Sequence, residues 1–235
     1  MRQLPLAVRL RERAVFDSFV VGANRSSVEQ LRALEREGSA GVYWLYGVSG
    51  VGKSHLLQAS CAQASRLGQQ AAYLPLSQLR TLGIGTLEGW QDARLLALDE
   101  LALVVGEPEW EQALFGLHRE IEERHALLVV AATEPPQRLR FALPDLASRF
   151  AAATLLPLRV LDEDEQREAL RLRALARGLE LPEETALYLQ RRFPRDLPTL
   201  YGLLDTIDEA ALRAQRRLTL PFIRQVLGEQ TPGAG

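Results

Sequence analysis

Gly47, Val48, Ser49, Gly50, Val51, Gly52, Lys53 and Ser54 follow G-x-x-x-x-G-K-[ST], the spacing of a phosphate-binding loop. Glycines there let backbone N–H groups turn inward onto phosphate oxygens. A helix opening at the lysine adds free donors and the positive end of its dipole. The Lys53 ammonium is placed for the β- and γ-phosphates, and the Ser54 hydroxyl for Mg2+. Lys53 is also the only lysine in the chain, every other basic side chain being arginine. The one position spared is where a compact ammonium on a flexible stem suits phosphates best. With no ligand, the same run would serve as a Gly-rich turn before a core helix.

A second group of residues matches this loop. Arg94-Leu95-Leu96-Ala97-Leu98 is an apolar run that ends in Asp99-Glu100. A carboxylate at such a strand end can hold Mg2+, usually through water, and the next one can polarise an attacking water. Thr133 closes the run Leu127–Ala132, where it can touch a γ-phosphate or the lytic water, or act only as a turn residue.

These positions require elements to hold them. Gly41–Tyr46 reads as a buried strand before the loop, and His55–Ser60 as the helix after it. Further strands are expected at 71–74, 94–98, 127–132 and 154–158. Ser26 or Ser27 is expected to cap a helix running to about Glu37, and Pro108 to open one carrying Trp110, Leu114, Leu117 and Ile121. Phe16 to Gly22 reads as an ordered lead-in whose aromatics could pack near an adenine. From Asp162 onward only helices are expected: one ending near Gly178, one with Pro182 at its first position, one from about Pro198, and a short one capped by Thr219. Strands alternating with helices, then helices alone, predict an α/β unit with a parallel sheet followed by a small all-α lid. The expected divisions are a tail at 1–15, a nucleotide-binding unit at 16–160, a lid at 161–228 and a disordered end at 229–235.

Composition limits the rest. The chain has 235 residues, 47% hydrophobic and 25% charged, with a formal net charge of −2. That balance lacks the basic footprint of a protein that grips nucleic acid by itself. The single cysteine, Cys61, permits no intrachain disulfide, as in a reducing compartment. No apolar run reaches membrane-spanning length and no signal-peptide core is visible, so a cytoplasmic protein is expected. His55, His118 and His125 lack metal-ligand spacing, which leaves Mg2+ as the only expected metal. Within the arginine-rich tail, Gln3, Leu4, Pro5 and Leu6 form an apolar peptide, either filler or a docking segment in which Pro5 favours an extended form.

Residues 16 to about 228 resemble the DnaA-related AAA+ ATPases. Phe16-Asp17-Ser18-Phe19-Val20-Val21-Gly22 is similar to the segment that opens the DnaA nucleotide domain. Leu143-Pro144-Asp145-Leu146-Ala147-Ser148-Arg149 resembles the family's arginine-finger box, and Arg195-Asp196-Leu197 its lid segment with a second sensor arginine. The chain is expected to lack the initiator's N-terminal and helix-turn-helix domains. With the Gln3–Leu6 peptide, similar to a sliding-clamp-binding motif, this resembles the regulatory inactivators of DnaA within the family.

The resemblance implies an AAA+ fold and a bound ADP or ATP with Mg2+. The nucleotide contacts implied are residues 47–54, His55, Asp99 and Arg195, with Ser54 and Asp99 on the metal. The partners implied are the DNA polymerase III sliding clamp and DnaA, and a homodimer stays open. Arg149 would act in trans on ATP held by DnaA; as a plain surface arginine it would pair with Asp145. Glu100 stands where the initiator has a second aspartate, and Thr133 replaces the usual first-sensor residue. The chain's own turnover is therefore expected to be weak or absent. The competing readings are a self-sufficient AAA+ ATPase such as a helicase loader, and a DNA-binding DnaA variant.

Overall fold

The computed structural model describes residues 14–34, 39–90, 92–194, 196–214 and 218–228. Two compact units divide the chain, Met1–Val160 and Leu161–Gly235. The first holds β1 (Gly41–Tyr46), β2 (Ala71–Pro75), β3 (Leu95–Asp99), β4 (Leu127–Ala132) and β5 (Thr154–Pro157), together with α1 (Arg25–Ala33), α2 (Lys53–Arg66), α3 (Leu76–Leu82), α4 (Pro108–Glu123) and α5 (Pro144–Ala151).

The strands form one sheet in the order β2-β3-β4-β1-β5, all pairs parallel. Every residue of β3 and of β4 is buried. Both faces of the sheet are covered, which is why these strands read as unbroken apolar runs rather than alternating ones. Leu95, Ala97, Leu127, Val129 and Ala131 pack toward the layer containing α1 and α2. Their neighbours Leu96, Leu98, Leu128 and Val130 pack toward α3, α4 and α5. Tyr46 and Ala132 end their strands side by side, so Gly47 and Thr133 leave the sheet at one level. The carboxyl ends of parallel strands, where direction of travel changes, are where such sheets place ligands.

Some expected helix starts move. Neither Ser26 nor Ser27 caps α1, whose N-cap position is Asn24. Ser27 lies one turn inside, buried, and its hydroxyl donates to the Pro157 carbonyl at 2.8 Å. Asn24 joins the same edge differently: its amide donates to the Arg159 carbonyl at 3.0 Å and its oxygen accepts the Arg159 N–H at 2.7 Å. A tertiary partner at the β5 edge of the sheet thus takes these polar side chains from local capping.

Glu111 is fully buried on α4. Its carboxylate accepts the N–H groups of Gly106 at 2.6 Å, Ala142 at 3.1 Å and Leu143 at 2.6 Å. It therefore staples the loop before α4 to the segment that starts α5. Replacing Glu111 by alanine would remove the charged acceptor of three backbone N–H groups, hydrogen bonds each worth about 1.5–3 kcal/mol when one partner is charged. The expected result is a loss of about 3 kcal/mol or more, read as a lower urea midpoint at unchanged slope.

The second unit holds α6 (Glu163–Leu175), α7 (Glu183–Arg192), α8 (Leu197–Ala214) and α9 (Leu220–Val226). Asp162 and Glu165 form a capping box at the start of α6: Asp162 accepts the Glu165 N–H and Glu165 accepts the Asp162 N–H, each at 2.8 Å. Pro182 stands at the N-cap of α7 rather than inside it. Thr219 occupies the N-cap of α9 but its side chain makes no capping bond. Leu170, Leu189, Leu200, Leu204, Ile207 and Ile223 make the core of this unit. Among the described residues, no helix is long and apolar enough to cross a membrane.

Candidate nucleotide site

β1 delivers the chain to the loop, and α2 leaves from it. Gly50 and Gly52 have φ of 83° and 98°, a left-handed backbone that side chains disfavour. The space is as restrictive as the dihedrals. A Cβ on Gly47 would lie 2.5 Å from the Leu158 carbonyl oxygen, and one on Gly52 2.5 Å from Cε2 of Phe19. Gly52 is the N-cap of α2 and no side chain caps that helix, so its first-turn donors are left for another acceptor. The Lys53 ammonium donates to the carbonyls of Gly47 at 2.6 Å and Val48 at 2.8 Å. Burial lowers its pKa, and the Asp99 carboxylate opposes that shift.

Asp99 ends β3 and is 2% exposed. Its Oδ1 accepts the Glu100 N–H at 2.9 Å, and its Oδ2 accepts the phenol of Tyr73 at 2.6 Å. Tyr73 is on β2, paired with Ala97, and leans along the same face to reach Asp99. Burial, then the neighbouring Asp99 charge, pushes the Tyr73 pKa far upward, so the phenol stays a proton donor. Tyr73 escaped the sequence reading. An aromatic in a strand is ordinary for β structure, and nothing local marks it as the partner of a residue 26 positions away.

Other expected site residues fall nearby or elsewhere. Glu100 is exposed, at φ 61°, and Thr133 is exposed just past β4. His55 turns toward the lead-in: its Nε2 lies 3.0 Å from the Val15 carbonyl and 3.3 Å from the Ser18 hydroxyl, and its ring sits 5.6 Å from Phe19. Phe16 is buried in the layer with α1 and α2, and Phe19 covers Gly52. The lead-in is thereby fastened to the phosphate loop.

Arg149 lies on α5, where Leu146 and Phe150 face the core. Its partner is Glu122 on α4, not Asp145, with the guanidinium 6.0 Å from the Phe115 ring centroid. This puts it on the sheet face opposite α2. Arg195 and the peptide Gln3-Leu4-Pro5-Leu6 lie outside the described residues. Asp196, beside Arg195, accepts the Thr199 N–H at 2.9 Å as α8 begins.

The geometry fits a polyphosphate. The loop leaves β1 through left-handed glycines and ends at an α2 whose first-turn donors have no side-chain cap, with the Lys53 ammonium beside it. Ser54 stands in the first turn of α2 and Asp99 at the end of β3, with both Asp99 oxygens holding protein donors. No cluster of three or more His, Cys, Asp or Glu that could hold a metal occurs among the described residues.

Comparison with known proteins agrees with this architecture. Residues 162–227 match a family model described as Hda, lid domain. Domain III of the Thermotoga maritima replication initiation protein DnaA superposes with a TM-score of 0.80 at 21% identity, over 94% of this chain and 98% of that one. AMPPCP-bound DnaA from Aquifex aeolicus gives 0.70 at 24% identity, over 87% and 68%. The Thermotoga maritima RuvB Holliday junction branch migration motor gives 0.61 at 17% identity, over 94% and 73%. The α/β AAA+ fold with a helical lid, expected from the sequence, is the fold found. Residues 162–227 thus match the Hda lid family, and the chain has the fold of the DnaA nucleotide-binding domain.

Proposed function

We propose that this protein is a negative regulator of replication initiation that promotes hydrolysis of ATP bound to DnaA while itself docked on the DNA-loaded sliding clamp. The observation that carries the reading is the match of the lid to the Hda family at residues 162–227. It follows an α/β unit in which the phosphate-loop sequence leads from β1 through left-handed glycines into an α2 with no side-chain cap. ADP or ATP is held by residues 47–54, with Lys53 on the phosphates and Ser54 and Asp99 toward Mg2+. The bound nucleotide supplies a fixed subunit shape rather than a reaction. Asp99 supports this, since both its oxygens already hold protein donors.

The chemistry takes place on the partner. Water attacks the γ-phosphoryl of ATP on DnaA, the bond to the β-phosphate oxygen breaks, and ADP and phosphate leave. Arg149 meets the charge that spreads over the transferring oxygens, a task for a planar, permanently charged guanidinium. The test is the fraction of DnaA-bound ATP converted to ADP with and without this protein and loaded clamp. Stimulation only when both are present supports the reading. Turnover by this protein alone, without either partner, would favour a self-sufficient ATPase.

Docking rests on Gln3, Leu4, Pro5 and Leu6, an apolar peptide on a polar tail. Gln3→Ala with Leu6→Ala should weaken binding to purified clamp by about thirtyfold or more, the loss of an interface hot spot. Folding and nucleotide affinity should not change. Surface-binding measurements that find equal clamp affinity in the double variant would rule the peptide out.

A further inference from the structure

We infer that Tyr73 is the positioning residue of the nucleotide site: it satisfies Asp99 from within the protein, so that a nucleoside diphosphate binds with little need for Mg2+. This rests on the nucleotide-binding reading above. Asp99 is 2% exposed, and a carboxylate so buried needs a partner on each oxygen. A divalent cation could be such a partner. Here Glu100 N–H takes Oδ1 at 2.9 Å and the Tyr73 phenol takes Oδ2 at 2.6 Å. The short distance marks a hydrogen bond to a charged acceptor.

Tyr73 thus ties strand β2 to the end of strand β3 through this hydrogen bond, without any ion. Mg2+ has a smaller task in such a site than in one whose carboxylate waits for it. The phosphate charge is met instead by Lys53, the helix donors and the loop backbone.

Tyr73→Phe keeps the ring and removes only the hydroxyl. Asp99 Oδ2 is then left buried with no protein donor, and a cation becomes the way to satisfy it. The experiment measures ADP affinity by calorimetry in excess Mg2+ and in EDTA, for the wild type, Tyr73→Phe, and Tyr73→Phe with Asp99→Asn. Wild-type affinity is expected to change by less than about threefold between the two conditions. In Tyr73→Phe, Mg2+ should strengthen binding by about tenfold or more, the worth of one hydrogen bond to a buried charge. Adding Asp99→Asn removes the charge and should return that ratio to near one.

A merely structural tyrosine would lower the melting temperature but leave the Mg2+ ratio at its wild-type value, and that result overturns the inference. A wild-type protein whose ADP affinity already depends on Mg2+ by more than about tenfold overturns it as well, even if Tyr73→Phe does not fold. A wild type that binds no ADP in either condition is a different failure, since it removes the nucleotide reading on which the inference stands.

Discussion

Lys53→Ala should weaken ADP binding by about a hundredfold or more, with little change in thermal stability. The size follows from removing a charged donor that can make more than one bond to phosphate, each worth about 1.5–3 kcal/mol. In the structure the ammonium donates to the Gly47 and Val48 carbonyls. Phosphate oxygens carry more negative charge than these carbonyls and would draw the ammonium away from them. Losing it costs the fold little, because Val48 is 58% exposed and water can replace the donor at its carbonyl. Binding and stability therefore separate in this variant. Lys53→Arg should recover only part of the affinity, since a planar fork does not fit where a point charge on a thin stem does. Calorimetric titration with ADP, beside a melting curve, measures both. Undiminished affinity in Lys53→Ala would remove residues 47–54 from the nucleotide site.

The phosphate loop could be read from sequence because its signal is local: glycines, lysine and hydroxyl within eight positions, with a strand before and a helix after. The buried strands were legible for the same reason, since a sheet covered on both faces leaves continuous apolar runs. What could not be read depends on distant pairing. Glu111 looks like one of several acids at the start of α4, and only the fold brings Gly106, Ala142 and Leu143 to it. Tyr73 meets Asp99 because β2 lies next to β3 in the sheet, and no spacing along the chain encodes that. Ser27 misled in the other direction. A serine before an amphipathic run is a capping signal, yet here its hydroxyl is used by the Pro157 carbonyl. In each case a long-range hydrogen bond to a buried group outweighed the local preference.

Arg149→Ala should abolish stimulation of DnaA-bound ATP hydrolysis, a loss on the order of 10³-fold for an arginine supplied in trans. Three features of its place on α5 support the assignment. Leu146 and Phe150 bury one side of this helix, so Arg149 projects from the other and is 42% exposed. Helix α5 packs on the sheet face opposite α2, which keeps Arg149 from its own phosphate loop. Its ion-pair partner is Glu122, itself 57% exposed, and an exposed pair of this kind contributes about 0–1 kcal/mol. Releasing the guanidinium toward another subunit is therefore cheap, and so is deleting it. Arg149→Ala should melt within a few degrees of wild type and bind ADP and clamp as before. Arg149→Lys should rescue little, because an ammonium cannot place parallel donors on phosphoryl oxygens. Glu122→Gln, which frees Arg149 without removing it, should leave stimulation at the wild-type level or above. The measurement is the fraction of DnaA-bound ATP converted to ADP with loaded clamp present. Wild-type stimulation by Arg149→Ala would reduce this residue to a surface partner of Glu122 and Phe115. Loss of stimulation in Glu122→Gln as well as in Arg149→Ala would instead mean that the ion pair itself, and not a freed guanidinium, shapes the surface that DnaA meets.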